Sequence, residues 1–261
     1  HGESGDDEIW GDDGNDEIYG DDGNDKIFGG EGNDKIYGGE GDDYIDGGNG
    51  DDYIEGGNGK NIMFGGNGVD QIYGGEDDDY IEGGDDQDYL HGGNGKNIMY
   101  GQEGDDFIYG GNDEDYIFGG TGNDHLYGGN GKNEIYGGHG DDVIHDGDDG
   151  SYIEGSFGND IIYAGGGNDY IDPGEGDDYI QDDHGDDTIV FKAGYGTDTI
   201  SDAAGNNTIL LSGLSIENAE MSRINGSDLK ISFGADNIII KQYFDGAAFQ
   251  NFNINGTMIN D

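Results

Sequence analysis

The chain has 261 residues, of which 59 are Gly, one is Pro and none is Cys, and its formal net charge is -52 at neutral pH. Hydrophobic residues make up only 31 %, which excludes an ordinary globular core (roughly 45–50 % apolar counted with Gly), and the lack of Cys excludes a small cystine scaffold or thiolate metal sites. So acidic a surface repels nucleic-acid phosphates and anionic membranes and attracts cations, and no apolar run approaches the roughly eighteen residues of a membrane span.

Composition alone predicts disorder; the placement of the few apolar residues predicts the opposite. From Gly2 to Val190 the chain divides into twenty-one consecutive nonapeptides without an insertion. Gly29-Gly30-Glu31-Gly32-Asn33-Asp34-Lys35-Ile36-Tyr37 shows the pattern. Its eighth position is aliphatic throughout: seventeen Ile, Leu90, Leu126, Met63 and Met99. Units this short cannot bury an apolar side chain alone, so each must stack on the next as a solenoid. Residues 7 to 9 of each block are expected to form strand, with the eighth side chain inward and its neighbours outward. The first six residues then make a glycine-rich turn, and two blocks complete one coil with loops on opposite edges. Glycines at positions one, two and four are expected to supply backbone angles that other residues reach only with strain. The expected fold is all-β, a parallel β-roll with a thin core of two aliphatic rows. Against backbone entropy of about 1–2 kcal/mol per residue, burial of these rows alone does not hold it.

The frame slips by two at Phe191-Lys192 and resumes for two blocks, from Ala193 to Ser201 and from Asp202 to Leu210. Leu229–Phe233 and Asn237–Lys241 read as strands across a Gly234-Ala235-Asp236 turn, and Asn251–Ile254 with Thr257–Ile259 as a second hairpin across Asn255-Gly256. Residues 1–210 are thus the expected roll and 211–261 a β-rich cap covering its last layer. The acidity belongs to the repeats, with 53 acidic and five basic residues in 1–190 against eight and four in 191–261.

Position six is Asp in seventeen of the twenty-one blocks: Asp7, Asp16, Asp25, Asp34, Asp43, Asp52, Asp70, Asp79, Asp88, Asp106, Asp115, Asp124, Asp142, Asp160, Asp169, Asp178 and Asp187. Asp198 holds the same place after the slip. Carboxylates repeated along one edge repel one another unless a divalent ion lies between them. Ca2+ takes six to eight oxygens, which stacked loops offering one carboxylate and several carbonyls can supply. For a single block a solvated polar turn is the simpler account; for an array in register, multiple Ca2+ ions are.

These repeats resemble the RTX (repeat-in-toxin, haemolysin-type) calcium-binding β-roll over about four-fifths of the chain. Residues 191–261, with Tyr195-Gly196-Thr197-Asp198 and Asp228–Phe233 followed by Tyr243-Phe244, look like the terminator of such arrays. The resemblance implies a secreted bacterial protein, exported unfolded by a type I secretion machinery and folded by external calcium. It also implies ions between same-edge loops, held by position-six Asp and loop carbonyls. The chain starts inside a repeat, so an upstream passenger (toxin, adhesin or hydrolase) is expected. Histidines without zinc spacing, and the lack of a nucleophile elbow or P-loop, argue that this segment is not itself an enzyme. Ice binding, known among related calcium solenoids, requires a regular Thr/Asx face, and only Thr121-Gly122-Asn123 fits it.

Two departures from the pattern are informative. Lys60-Asn61, Lys96-Asn97 and Lys132-Asn133 replace positions five and six at intervals of 36 residues, all on one edge, where Ser151 also stands at position six. Intervening blocks on that edge carry Asp77, Asp113 and Asp149 at position four; the opposite edge keeps Asp at six and has Asp86 at four. One account is that each Lys substitutes for an ion by facing the extra Asp of a neighbouring turn; the other is a duplicated 36-residue unit whose Asn still ligates through its amide oxygen. Secondly, where position nine is Asp46, Glu55, Glu82, His91, Glu154, Asp172 or Gln181, position seven is Tyr. Stacked aromatic ladders account for this; a surface that stacks on glycans, giving an adhesive or carbohydrate-binding module or part of a polysaccharide-modifying enzyme, is the alternative.

Overall fold

In a strand the side chains alternate between faces, so the aliphatic at position eight and the glycine two residues later share the inner face. In the computed structural model, which describes residues 1–202, 204–243, 253–255 and 257–258, both are buried along the repeats. The strands are longer than the expected three residues. Lys35–Glu40 is typical, running from position seven of one block to position three of the next. The first three residues of each block continue the ladder because their backbone groups pair with the turns on either side, as in Gly39 opposite Asp21 and Glu40 opposite Asp22. Only positions four to six form loop.

Two units make up the chain, His1–Asn130 and Gly131–Asp261. In the first, strands from Glu8–Asp13 to His125–Gly129 alternate between two parallel sheets, each strand pairing with the one two places on. The offset is eighteen residues, as in Ile36 opposite Ile54 and Ile54 opposite Ile72, so two nonapeptides make one coil. From Ile27 to Leu126 the position-eight side chains have no exposed surface and form the core. The expected fold class and coil length are observed.

In the second unit the same parallel arrangement runs from Glu134–His139 to Thr208–Ser212, and the offset grows to twenty where the frame slips, with Ile180 opposite Ile200. Thr197–Asp202 pairs in parallel with Asp236–Ile240, which is followed in the sheet by antiparallel Asp228–Phe233 and Glu220–Ile224. The predicted hairpin around Gly234 is therefore present. Glu220–Ile224 is an additional, largely exposed edge strand. Asn253–Ile254 pairs antiparallel with Thr257–Met258 as expected; residues 251, 252, 256 and 259 of that hairpin, and Phe244, lie outside the described residues.

Glycine at position two has a conformational cause and at position one a spatial one. Gly39 has φ +119°, the left-handed region that disfavours side chains. Gly38 does not; a Cβ there would stand 2.4 Å from Asp43 Oδ2 and 2.5 Å from the Gly56 carbonyl oxygen. The expectation that all three glycines serve backbone angles is corrected for position one.

Candidate metal centre

The loops stack into two edges. Within His1–Asn130 one edge carries Asp7, Asp25, Asp43, Asn61, Asp79, Asn97 and Asp115 at position six, and the other carries Asp16, Asp34, Asp52, Asp70, Asp88, Asp106 and Asp124. A backbone ladder of side-chain acceptors runs along each. On the all-Asp edge, the N–H of each residue from Asp16 to Asp106 donates to Oδ1 of the next turn's Asp at 2.8 Å. Position five is pinned in the opposite direction: Asn24 N–H donates to Asp6 Oδ1 and Asp42 N–H to Asn24 Oδ1, each at 3.0 Å. Each loop is thus fixed by the turns before and after it.

In Gly131–Asp261, Asp142, Asp160, Asp178 and Asp198 form one such ladder, and Asn133, Ser151, Asp169, Asp187 and Asn207 another. All eighteen predicted ligands stand in these rows, and all are buried except Asp7 and Asp16, which are half-buried.

With Oδ1 spent on the ladder, Oδ2 is left over. In Asp25, Asp34, Asp43, Asp52, Asp70, Asp79, Asp88 and Asp106 it is buried and has no hydrogen-bond partner in the protein. A buried carboxylate oxygen without a donor costs several kcal/mol unless it is protonated or bound to a cation. It also converges with a second oxygen. The point where a Cβ would stand on Gly29 is 2.5 Å from Asp34 Oδ2 and 2.4 Å from the Gly47 carbonyl oxygen, and Gly20, Gly47 and Gly74 repeat this arrangement. A side chain at position one would crowd both oxygens, which is why glycine stands there. Hard oxygen donors, one of them anionic, are the set that Ca2+ takes, so the residues present fit the ion.

The electrostatics have the same origin. Burial, the largest contribution, raises the Asp70, Asp79 and Asp124 carboxyls to about 7 and Asp88 to about 8, with neighbouring carboxylates adding to it. Asp43, Asp52 and Asp106 are raised to about 6, also by burial first. The backbone N–H from the preceding turn opposes the shift in each case without cancelling it.

The asparagine loops differ in one atom. Asn61 Oδ1 accepts the Asp43 N–H at 3.0 Å, as a carboxylate would, and Nδ2 then takes the place of Oδ2 and donates to the Gly59 carbonyl at 3.1 Å. Asn97 does the same toward Gly95 at 3.2 Å. The amide turns the surplus acceptor into a donor, and the loop satisfies itself. The lysine account is corrected in its partner. The amide oxygen takes the ladder bond just as Asp Oδ1 does elsewhere, and Lys60 and Lys96 face position five of the neighbouring turn, not position four: Lys60 Nζ is 2.5 Å from Asp78 Oδ2, and Lys96 pairs with Glu114. Asp113 and Asp149 at position four instead accept the Gly95 and Gly131 N–H groups.

On the outer faces of the first unit, one aromatic per strand forms a continuous row. Tyr37, Tyr53, Tyr73, Tyr89, Tyr109 and Tyr127 follow one another with ring centroids 4.5–5.8 Å apart. From Tyr37 to Tyr109 the row alternates between positions nine and seven, with Tyr127 again at nine, and at position seven Tyr53 donates its hydroxyl to the acid at nine, Glu55, at 3.2 Å. That contact accounts for Tyr beside an acid; in this row the rings from Tyr37 to Tyr109 are tilted by 41–51° to one another, and Tyr109 and Tyr127 stack face to face at 1°.

Asp146 and Asp182 at position one escaped the sequence reading. Both are carboxylates where seventeen of twenty-one blocks have Gly, and that substitution was the signal available.

No curated protein sequence matches the chain. Among solved structures, the extracellular lipase LipA from Serratia marcescens is 15 % identical with a TM-score of 0.30, over 70 % of this chain and 42 % of that one; this chain therefore spans less than half of the lipase. A hyperactive, Ca2+-dependent, β-helical antifreeze protein from an Antarctic bacterium is 20 % identical with a TM-score of 0.37, over 97 % and 94 %. No helix among the described residues is long and apolar enough to cross a membrane. The family model for the RTX calcium-binding nonapeptide repeat matches in overlapping segments from residue 1 to residue 212. With the nonapeptide register, the parallel coils and the paired rows of buried carboxylates, that match places the chain in the RTX calcium-binding repeat family.

Proposed function

We propose that this chain is a calcium-dependent folding module of a secreted protein, with Ca2+ held along both edges by the position-six carboxylates from Asp7 to Asp198 and by loop carbonyls. The observation that carries this reading is the buried Oδ2 with no protein partner, repeated turn after turn. Bound Ca2+ supplies the positive charge that the loops lack. Asn61 and Asn97 mark turns whose amide removes that need, so the edge containing them holds fewer ions than the all-Asp edge. Without calcium the carboxylates repel and the coils open, a state suited to passage through a narrow export channel of type I secretion. At external millimolar calcium, binding free energy becomes folding free energy. Residues 211–261 would cap the array, and an upstream passenger would supply whatever activity is exported. The aromatic rows serve as ladders along the outer faces of the sheets.

A calcium titration followed by far-UV circular dichroism, with ions counted by native mass spectrometry on the same sample, tests the proposal. A coil-to-β transition that tracks the ion count is expected. A chain fully β-structured at neutral pH after exhaustive removal of calcium would refute it.

A further inference from the structure

Position one departs from Gly at Asp146, Ala164, Pro173 and Asp182. At the last of these the structure gathers three carboxylates. Ligand oxygens of Asp169, Asp182 and Asp187 all lie within 4.8 Å of one another, and all three residues are buried. Asp169 and Asp187 are position-six residues of neighbouring turns, 2 % and 1 % exposed. Each has Oδ1 engaged by the preceding turn, from the Ser151 N–H at 2.6 Å and the Asp169 N–H at 2.9 Å. Each also has a buried Oδ2 with no hydrogen-bond partner. Asp182 adds the third carboxylate from position one, with its Oδ1 accepting the Asp183 N–H at 2.9 Å.

Room for that side chain has a visible origin. In regular repeats a Cβ at position one would collide with the Asp oxygen of its own loop, as at Gly38. Here the pairing of Ile161–Gly166 with Tyr179–His184 shifts register after Tyr163 and again after Gly165, which sets Gly165 opposite Asp182. Such a bulge re-aims side chains.

We propose that Asp169, Asp182 and Asp187 form a distinct hard-cation site that binds Ca2+ at least tenfold more tightly than the repeat sites of the array. A regular pair of turns contributes two carboxylates; this pair contributes three, and ligand charge is a principal control of calcium affinity. The inference rests on the calcium reading above, since Asp169 and Asp187 are themselves position-six residues of the array.

The test uses the intact chain in calcium-buffered solutions, with bound ions counted by native mass spectrometry and β structure followed by circular dichroism. Wild type is compared with Asp182→Asn, which keeps the shape, and Asp182→Gly, which restores the residue usual in the repeat. At free calcium tenfold below the midpoint of array filling, wild type should retain one ion and both variants none, while all three reach the same β signal at saturating calcium. Equal ion counts in wild type and variants at low calcium would overturn this site and leave the array reading intact. One tight ion lost on Asp182→Asn, with no further filling at millimolar calcium, would support this site and overturn the array.

Discussion

The buried carboxylates make the metal-free fold sensitive to pH in a direction opposite to common acid denaturation. Within His1–Asn130, seven position-six Asp carboxyls have native pKa values raised to between about 6 and about 8 by burial, against about 3.9 in an unfolded chain. A carboxyl raised in the folded state binds its proton more tightly there. Its contribution to metal-free stability is therefore intact below about pH 4 and is lost as pH rises through the folded value. At pH 7 each of the seven costs about 3–4 kcal/mol, at about 1.4 kcal/mol per pH unit. Even part of that cost, repeated over neighbouring loops, rivals the roughly 5–15 kcal/mol by which folded domains are usually stable. At pH 5 the cost of each falls to about 1–2 kcal/mol. Calcium-stripped protein, prepared with a chelating resin and followed by far-UV circular dichroism from pH 8 to pH 5, should be coil at the alkaline end and gain β structure on acidification. With millimolar calcium it should be folded at pH 8 and lose ions as protons compete near pH 6. Metal-free protein with an unchanged β spectrum from pH 5 to pH 8 would refute the assignment of these residues as the source of calcium dependence.

Three substitutions probe other parts of the structure. Asn61→Asp restores the surplus oxygen at a turn that now satisfies itself. It should add one ion to the native mass spectrum and move the acid-induced gain of β structure in the metal-free protein to lower pH; an unchanged ion count would contradict the proposed role of the amide. Tyr73→Ser removes ring contacts to Tyr53 and Tyr89 at 5.5 and 5.8 Å. It should cost about 1–3 kcal/mol in calcium-loaded melts without changing the ion count, and a loss of glycan-array binding with stability preserved would instead favour a sugar-binding face. Asp77→Gly relieves a non-glycine φ of +72° and should raise the melting midpoint of the calcium-loaded protein by the equivalent of about 0.5–1 kcal/mol; a lower midpoint would show that the Asp77 side chain is needed there.

The coil length, the inner row and the two carboxylate edges were legible because an unbroken nine-residue period leaves no freedom in register. Ile36, Asp34 and Gly32 each predict their own environment once the frame is known. What stayed hidden depends on the neighbouring turn. Strands reach six residues because Gly38-Gly39-Glu40 pair across the coil, which no propensity of glycine suggests. The lysines choose Asp78 and Glu114 because those residues stand one coil away at the same position, whereas the extra acids at position four turn toward backbone N–H groups. Glu220–Ile224 lacks an alternating pattern and becomes a strand by pairing with Asp228–Phe233. The triad around Asp182 depends on a register shift, a feature of two strands together that a single repeat cannot encode.

The eighteen-residue ladder also restricts how such a chain can change length. Since the N–H of Asp52 is received by Asp70 and that of Asp70 by Asp88, removing or duplicating eighteen residues within His1–Asn130 keeps every later loop on its own edge. Removing nine leaves each block intact yet exchanges the edges downstream, bringing Asn61 and Asn97 into the row now made wholly of Asp. Growth by whole coils is therefore silent, growth by half coils is not, and the recurrence of Lys-Asn at 60, 96 and 132, two coils apart each time, is the kind of trace that duplication in whole coils leaves behind.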